Sequence, residues 1–337
     1  MSLPDFQLLR PGTLPEALEL LARQAGATQV IAGGTDLLPS LRQGLFAPEY
    51  VLDIRNIEEL RGIRVQPGLG VEIGALTTLS AIEDSGFIHR NYRVLHEAAA
   101  TVASPILRNM GTLGGNICLD TRCLWYNQSR AWRKSCGFCI KKDGDLCHVA
   151  PGGTRCWAAF SGDTPPALLC LQAELEIASD KGTRRVPLRD FYTNVGDARI
   201  KLEKNELVTR IFLPETSAGY RGAYRKLRIR GSIDYPLAGV AVVLKTKNGA
   251  ASPVLDAHVA ITAVNPAPLL VPGADHALIG KVVDEHVATV VGELAAKTAK
   301  PLTTSALTPE YRREMVRVFA KRAVLAAGAG EIDSQSR

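Results

Sequence analysis

Six of the chain's seven cysteines fall between Cys118 and Cys156, a stretch that also holds two of its three tryptophans. The stretch is rich in charge and poor in hydrophobic periodicity, so it cannot easily bury a core of its own; something other than packing should order it. In a reducing compartment, disulfides explain so many thiols poorly. A metal centre is the better reading, because four thiolates crosslinking a loop around zinc or an iron–sulfur cluster would supply the missing order. Cys136-Gly137-Phe138-Cys139 is a C-x-x-C pair, but no second pair follows at zinc-ribbon spacing, and the gaps from Cys139 to Cys147 to Cys156 are wide. A 4Fe-4S cluster is larger than a zinc ion and accepts widely spaced ligands, so the spacing leans that way without fixing which four thiols serve. Trp125, Tyr126, Phe138 and Trp157 could shield such a centre, or simply pack locally.

The rest of the chain reads as an ordinary globular protein. Its 337 residues suggest two or three packed units, with 46% hydrophobic and 22% charged residues and a mean hydropathy of +0.03. No apolar run approaches the roughly 20 residues that span a bilayer. The opening Met1-Ser2-Leu3-Pro4-Asp5-Phe6 lacks the basic-then-apolar pattern of a signal peptide, which points to the cytoplasm. The net charge of +6 comes from scattered Lys and Arg, densest at 130–142, 225–230 and 312–322. None of these runs has a nucleic-acid motif, so neither nucleic acid nor membrane is expected as a partner.

Thr13, Pro15 and Glu16 signal a helix start, and Gly26 a stop. Strands are predicted at 29–32 and 51–54, a hairpin at 63–73 around Pro67-Gly68, a helix at 93–102, and strands at 168–177, 207–213, 238–245 and 258–263. Two closing helices are predicted at 285–297 and 309–327. The pattern is α+β, with a linker near 214–219 and a C-terminal α+β domain spanning 218–337.

Two glycine-rich loops stand out. Ala32-Gly33-Gly34-Thr35-Asp36-Leu37 follows a strand directly, and its successive N–H groups form a nest suited to phosphate. Gly111 to Asn116 has the same character. Loops on two separate segments could close on the two ends of a dinucleotide, and neither fits G-x-G-x-x-G of a Rossmann unit.

The order AGGTDLLP, GTLGGNI and SGDTPPAL resembles the FAD-binding medium subunit of the xanthine dehydrogenase family of molybdenum hydroxylases, over nearly the whole chain. The block DTRCLWYNQSRAWRKSCGFCIKKDGDLCHVAPGGTRCWA is similar to the insertion in the β subunit of 4-hydroxybenzoyl-CoA reductase. The resemblance implies a two-part FAD-binding domain of the vanillyl-alcohol-oxidase type over 1–217, with an iron–sulfur insertion at 118–160. It implies Cys123, Cys139, Cys147 and Cys156 as ligands of a 4Fe-4S cluster and leaves Cys118, Cys136 and Cys170 spare; exchange between Cys136 and Cys139 as ligand stays open. For FAD it implies Ala32, Gly33, Gly34, Thr35, Asp36 and Leu37 at the pyrophosphate. Val102, Gly111, Thr112, Gly115 and Asn116 form the opposite wall, Asp163 serves the ribityl or ribose hydroxyls, and Lys226 lies near the isoalloxazine.

No catalytic acid or base is expected here, since the resemblance assigns substrate chemistry to a large subunit with the molybdopterin-type molybdenum cofactor. A small subunit with two 2Fe-2S clusters completes a heterotrimer, expected to be doubled. An extra cluster implies a ferredoxin-like carrier, with electrons passing from 4Fe-4S to FAD to 2Fe-2S to molybdenum. Arg130, Arg133, Lys134, Lys141 and Lys142 are the expected landing surface for it. The competing readings are a related hydroxylase or hydratase subunit for another ring substrate, a self-contained flavin oxidase, and a zinc-stabilised non-redox binding module.

Overall fold

The computed structural model describes residues 3–249 and 251–329; the last eight residues of the expected C-terminal domain lie outside it. The first unit is a three-stranded parallel sheet of β1 (Gln7–Leu9), β2 (Thr28–Ile31) and β3 (Tyr50–Asp53), in the order β1-β3-β2. Parallel strands need a crossover, and the helix Leu14–Arg23 provides the first. Thr13 caps it by accepting from the Glu16 N–H, while the Glu16 carboxylate accepts from the Gly12 N–H at 2.7 Å.

The second unit is an antiparallel sheet of β4 (Ile63–Gln66), β5 (Gly70–Gly74), β6 (Glu174–Ser179), β7 (Gly182–Pro187) and β8 (Leu207–Pro214), in the order β4-β5-β8-β6-β7. Between β5 and β6 the chain leaves the sheet for a group of short helices and the cysteine-rich segment. The predicted strand at 168–177 is half helix: Pro165 and Pro166 open the helix Thr164–Cys170, and the chain reverses at Gln172, with φ of 55°, before β6 begins. A fully buried apolar run of that length carries no periodicity to separate helix from strand, and proline in a helix's first turn tips the balance.

The third unit is an antiparallel sheet of β9 (Arg221–Leu227), β10 (Ala238–Thr246), β11 (Val254–Thr262) and β12 (Leu269–Leu270), in the order β12-β11-β10-β9. β10 is buried on both sides. Val240, Val242 and Leu244 pack with Val291, Val316 and Ala320 of the helices Glu285–Thr298 and Pro309–Ala329, whereas Ala241 and Val243 join the core formed by Leu95, Leu168 and Leu175. Its run AGVAVVL is therefore unbroken by polar residues. The sheet is the wall between the two cores, so residues of β9 reach the loops of the first two units.

Candidate functional site

β2 delivers the chain into the first glycine loop, which lies directly against the second. A Cβ on Gly33 would stand 1.8 Å from the Met110 carbonyl oxygen, and Gly34 takes φ of +73°, which favours glycine. The half-buried N–H groups of Gly33, Gly34 and Thr35 donate to no other described residue. Such a row of backbone donors suits an anionic ligand. Asp36 does not cap the short helix Leu37–Arg42 that follows. Its Oδ1 accepts from Arg122 and, at 2.9 Å, from the Tyr235 hydroxyl, while the Arg122 guanidinium lies 3.8 Å from the centre of the Tyr235 ring.

The second loop spends its donors on the protein. Gly114 N–H donates to Ala75, Asn116 N–H to Thr112, and Gly115 N–H to the Thr112 hydroxyl, which caps the turn Leu113–Ile117. Gly114 permits this close packing, since a Cβ there would meet Ala75 at 2.8 Å. The sequence reads the two loops as alike, but they differ: the first has free donors, and the second forms a rigid wall. Asn116 extends that wall by accepting from Thr164 N–H at 3.1 Å and from its hydroxyl at 2.7 Å.

Thr164 brings its neighbour Asp163 to the same place. Asp163 Oδ1 accepts from the Tyr224 hydroxyl at 2.8 Å and Oδ2 from the Lys226 ammonium at 2.9 Å. Tyr224 and Lys226 are two residues apart on β9, so the strand period aims both at one carboxylate. Burial pushes the Asp163 carboxyl up, and Lys226 and Tyr224 offset part of the push. Lys226 also donates to the Thr101 carbonyl at 2.9 Å, beside the half-buried Val102, and the Ile233 N–H donates to Ala103 at 2.7 Å. Asp163 and Lys226 are thus bonded to each other, Thr164 ties Asn116 to them, and the first loop reaches the second by the close approach of Gly33 to Met110. Tyr224, bonded to Asp163, and Tyr235 and Arg122, bonded to Asp36, were missed in the sequence; only Tyr224, by its spacing from Lys226, left a readable signal.

The cysteine-rich segment is a closed loop. Arg122 and Ala159 exchange two backbone hydrogen bonds at its stem, of 2.7 and 2.8 Å, and the Leu124 N–H donates to the Thr304 carbonyl at 2.8 Å, pinning it to the third unit. Inside, Cys123, Cys139, Cys147 and Cys156 are all buried and line one small cavity, together with Trp125, Tyr126 and His148. Burial pushes the Cys123 thiol up to about 11 and the Cys156 thiol up to about 12. Thiols so placed stay protonated unless positive charge or a metal compensates them. No three His, Cys, Asp or Glu residues among those described converge as a single-ion site.

The other three cysteines stand apart. Cys170 is buried in the main core with its thiol on the Ala241 carbonyl, Cys118 lies near Tyr192 and Arg199, and Cys136 is partly exposed beside Ser135.

Two of the five cations expected on a landing surface are internal. The Arg133 side chain is 1% exposed and donates to the Gly44 carbonyl at 3.0 Å, and the Lys141 side chain is 6% exposed and pairs with Asp120 at 2.9 Å. Each is enclosed by the folded insertion, so only Arg130, Lys134 and Lys142 of that set face outward.

The fold and the two facing loops define a dinucleotide-binding protein with a third, sheet-and-helix unit closing its site. The family described as the FAD binding domain in molybdopterin dehydrogenase matches residues 4–216, and that described as the CO dehydrogenase flavoprotein C-terminal domain matches residues 222–327. The carbon monoxide dehydrogenase medium chain of Afipia carboxidovorans is 31% identical over 325 residues, covering 96% of this chain and 97% of the relative. The xanthine dehydrogenase FAD-binding subunit of Escherichia coli O157:H7 is 25% identical over 96% of this chain and 97% of the relative. Among solved structures, Cu,Mo-CO dehydrogenase superposes with a TM-score of 0.80 at 29% identity, covering 98% of this chain and 100% of that one. Quinoline 2-oxidoreductase from Pseudomonas putida 86 superposes with a TM-score of 0.77 at 26% identity, covering 98% and 99%. The chain belongs to the family of FAD-binding medium subunits of the xanthine dehydrogenase and CO dehydrogenase class of molybdenum hydroxylases.

None of the described helices is long and apolar enough to cross a membrane.

Proposed function

We propose that this chain is the flavin- and cluster-carrying medium subunit of a heteromeric molybdenum enzyme of the 4-hydroxybenzoyl-CoA reductase type. The observation that carries the reading is the sorting of the cysteines. Cys123, Cys139, Cys147 and Cys156, spread over 34 residues of chain, surround one cavity, while Cys118, Cys136 and Cys170 lie elsewhere. Four thiols lining one enclosed space match the four ligands that a 4Fe-4S cluster needs, and their wide spacing in the chain suits a cluster better than a zinc ribbon.

The donor set at the first loop fits FAD. Gly33, Gly34 and Thr35 would hold the pyrophosphate by their backbone N–H groups, with Thr112, Gly115 and Asn116 as the wall across from them. Asp163 would keep Lys226 in place, and Lys226 would present its cation at the inner end of the site. When bound, the cluster and the flavin supply electron transfer between an external carrier and a partner subunit with the molybdenum cofactor, by way of a small 2Fe-2S subunit. This chain's own residues bind and orient both groups and exclude water from them.

An acidic, ferredoxin-like protein is the carrier that fits. Around the insertion, Arg130, Lys134 and Lys142 accompany the exposed side chains of Trp132 and Leu146. The Trp132 ring lies 5.7 Å from Trp125, which stacks on His148 at 4.3 Å beside the cavity. Apolar contact ringed by cations is the usual form of a transient redox interface.

Metal and flavin analysis of the anaerobically purified complex tests the reading. About eight iron atoms per heterotrimer, four from this chain and four from the two 2Fe-2S clusters of the small subunit, and one FAD are expected. About four iron atoms per heterotrimer, with or without zinc, would overturn it.

A further inference from the structure

We propose that Lys141 sets the reduction potential of the centre held by the four thiols, through a fixed positive charge buried against the cavity. The inference rests on the cluster reading given above.

Of the described residues lining the cavity, Lys141 is the one that carries a permanent charge. Its side chain is buried, and its ammonium is held from several sides. It donates to Asp120 Oδ1 at 2.9 Å, to the Thr121 carbonyl at 3.0 Å, to the Thr121 hydroxyl, and to the Gly196 carbonyl at 3.1 Å. It also lies 4.5 Å from the centre of the Tyr126 ring, another wall of the cavity. A cation tied by so many bonds cannot swing out to water. The Gly196 backbone that accepts from it also packs on the ligand candidate: a Cβ on Gly196 would stand 2.8 Å from Cys156 Sγ.

The charges around the cavity are not equally close to it. Asp120 is paired by Arg199 at 3.5 Å as well as by Lys141. Burial alone would push the Asp120 carboxyl up, but the two cations hold it below its ordinary value. Asp197 acts on Cys156 with the opposite sign to Lys141, but of these four charged groups Lys141 alone stands on the cavity wall. Reduction of the centre by the carrier adds one electron and no proton, so one more negative charge appears in a medium of low effective dielectric. A buried cation stabilises that charge more than a solvent-exposed lysine would, because the latter is screened. The Ala158 N–H, which donates to Cys156 Sγ at 3.4 Å, acts in the same direction.

The test is an EPR-monitored redox titration of the intact complex, comparing the parent protein with Lys141→Gln, Lys141→Arg and Asp120→Asn. Lys141→Gln should lower the potential, on the order of a tenfold fall in the reduced-to-oxidised ratio at fixed potential, which is about 59 mV for a one-electron couple. Asp120→Asn should move it the opposite way, and Lys141→Arg should keep it near the parent value. A merely structural role would not give shifts of opposite sign. If Lys141→Gln fails to assemble the centre, the sign of the Asp120→Asn shift still decides. Equal potentials in the parent and Asp120→Asn, or a fall in the latter, overturn the proposal. A parent protein without any cluster signal overturns the cluster reading itself.

Discussion

Arg122 joins Asp36 across 86 residues of sequence, so the side chain next to a cavity-lining cysteine holds the acidic residue of the first glycine loop. Cys123 follows Arg122 directly, and Gly34 and Thr35 directly precede Asp36. A second tie runs parallel to it: Arg133, inside the insertion, donates to the Gly44 carbonyl just beyond the helix Leu37–Arg42. The cysteine-rich segment is therefore tied both to the first glycine loop and to the end of the helix that follows it.

Loss of either end of that ion pair should loosen the flavin first. Arg122→Ala leaves Asp36 with the Tyr235 hydroxyl alone, and Asp36→Asn removes the charge. Each should weaken FAD retention about tenfold, equivalent to the ~1.4 kcal/mol typical of a charge-assisted hydrogen bond of this exposure. Equilibrium dialysis or gel filtration with absorbance at the flavin band reads the effect. Retention equal to the parent in both variants would contradict the assignment.

Gly33→Ala should be more damaging than its size suggests. The new methyl would lie 1.8 Å from the Met110 carbonyl oxygen, on backbone that cannot rotate away. The two loops must separate, at a cost of about 2 kcal/mol or more. Thermal unfolding should shift down and FAD content should fall together, whereas Gly68→Ala, in open space but at φ of +78°, should cost stability without lowering FAD content.

Single cysteine-to-serine substitutions should divide into two sets. Changes at Cys123, Cys139, Cys147 and Cys156 are expected to remove about four iron atoms from the complex, leaving those of the partner's 2Fe-2S clusters; changes at Cys118, Cys136 and Cys170 should leave iron content near the parent value. Iron loss on Cys136→Ser with retention on Cys139→Ser would mean that the two exchange roles.

Acid stability should carry a contribution from Glu206. Arg184 grips its carboxylate with two bonds of 2.8 Å, and this hydrogen-bonded pairing holds Glu206 below its ordinary value of 4.5. A carboxyl lowered on folding contributes stability that is fully present above that ordinary value and is lost as the pH falls through the lowered one. Arg184 is 42% exposed, so the contribution is about 1 kcal/mol. Glu206→Gln should cost that amount at pH 7, and the gap from the parent should close below about pH 4.5 in denaturant titrations.

Much of the fold is legible in the sequence because its signals are local. The Thr13 cap, the Pro67-Gly68 turn of the β4–β5 hairpin and the helices near 285 and 309 are written in neighbouring residues. The site is only partly legible. Its glycine loops announce themselves, but their difference in free N–H groups depends on partners such as Ala75, far away in sequence. Arg133, Lys141 and Arg312 look like surface cations in any sequence. Each is buried against acceptors on other segments of the chain; Arg312, for instance, donates to the carbonyls of Leu237, Leu302 and Ala263. No periodicity encodes that convergence.

Low-temperature EPR of the anaerobically prepared complex, before and after dithionite, tests the central claim most directly. A dithionite-induced paramagnetic signal that disappears in Cys147→Ser, while signals from the partner subunit's clusters remain, is the result this account predicts. The same spectrum from parent and Cys147→Ser protein would contradict it.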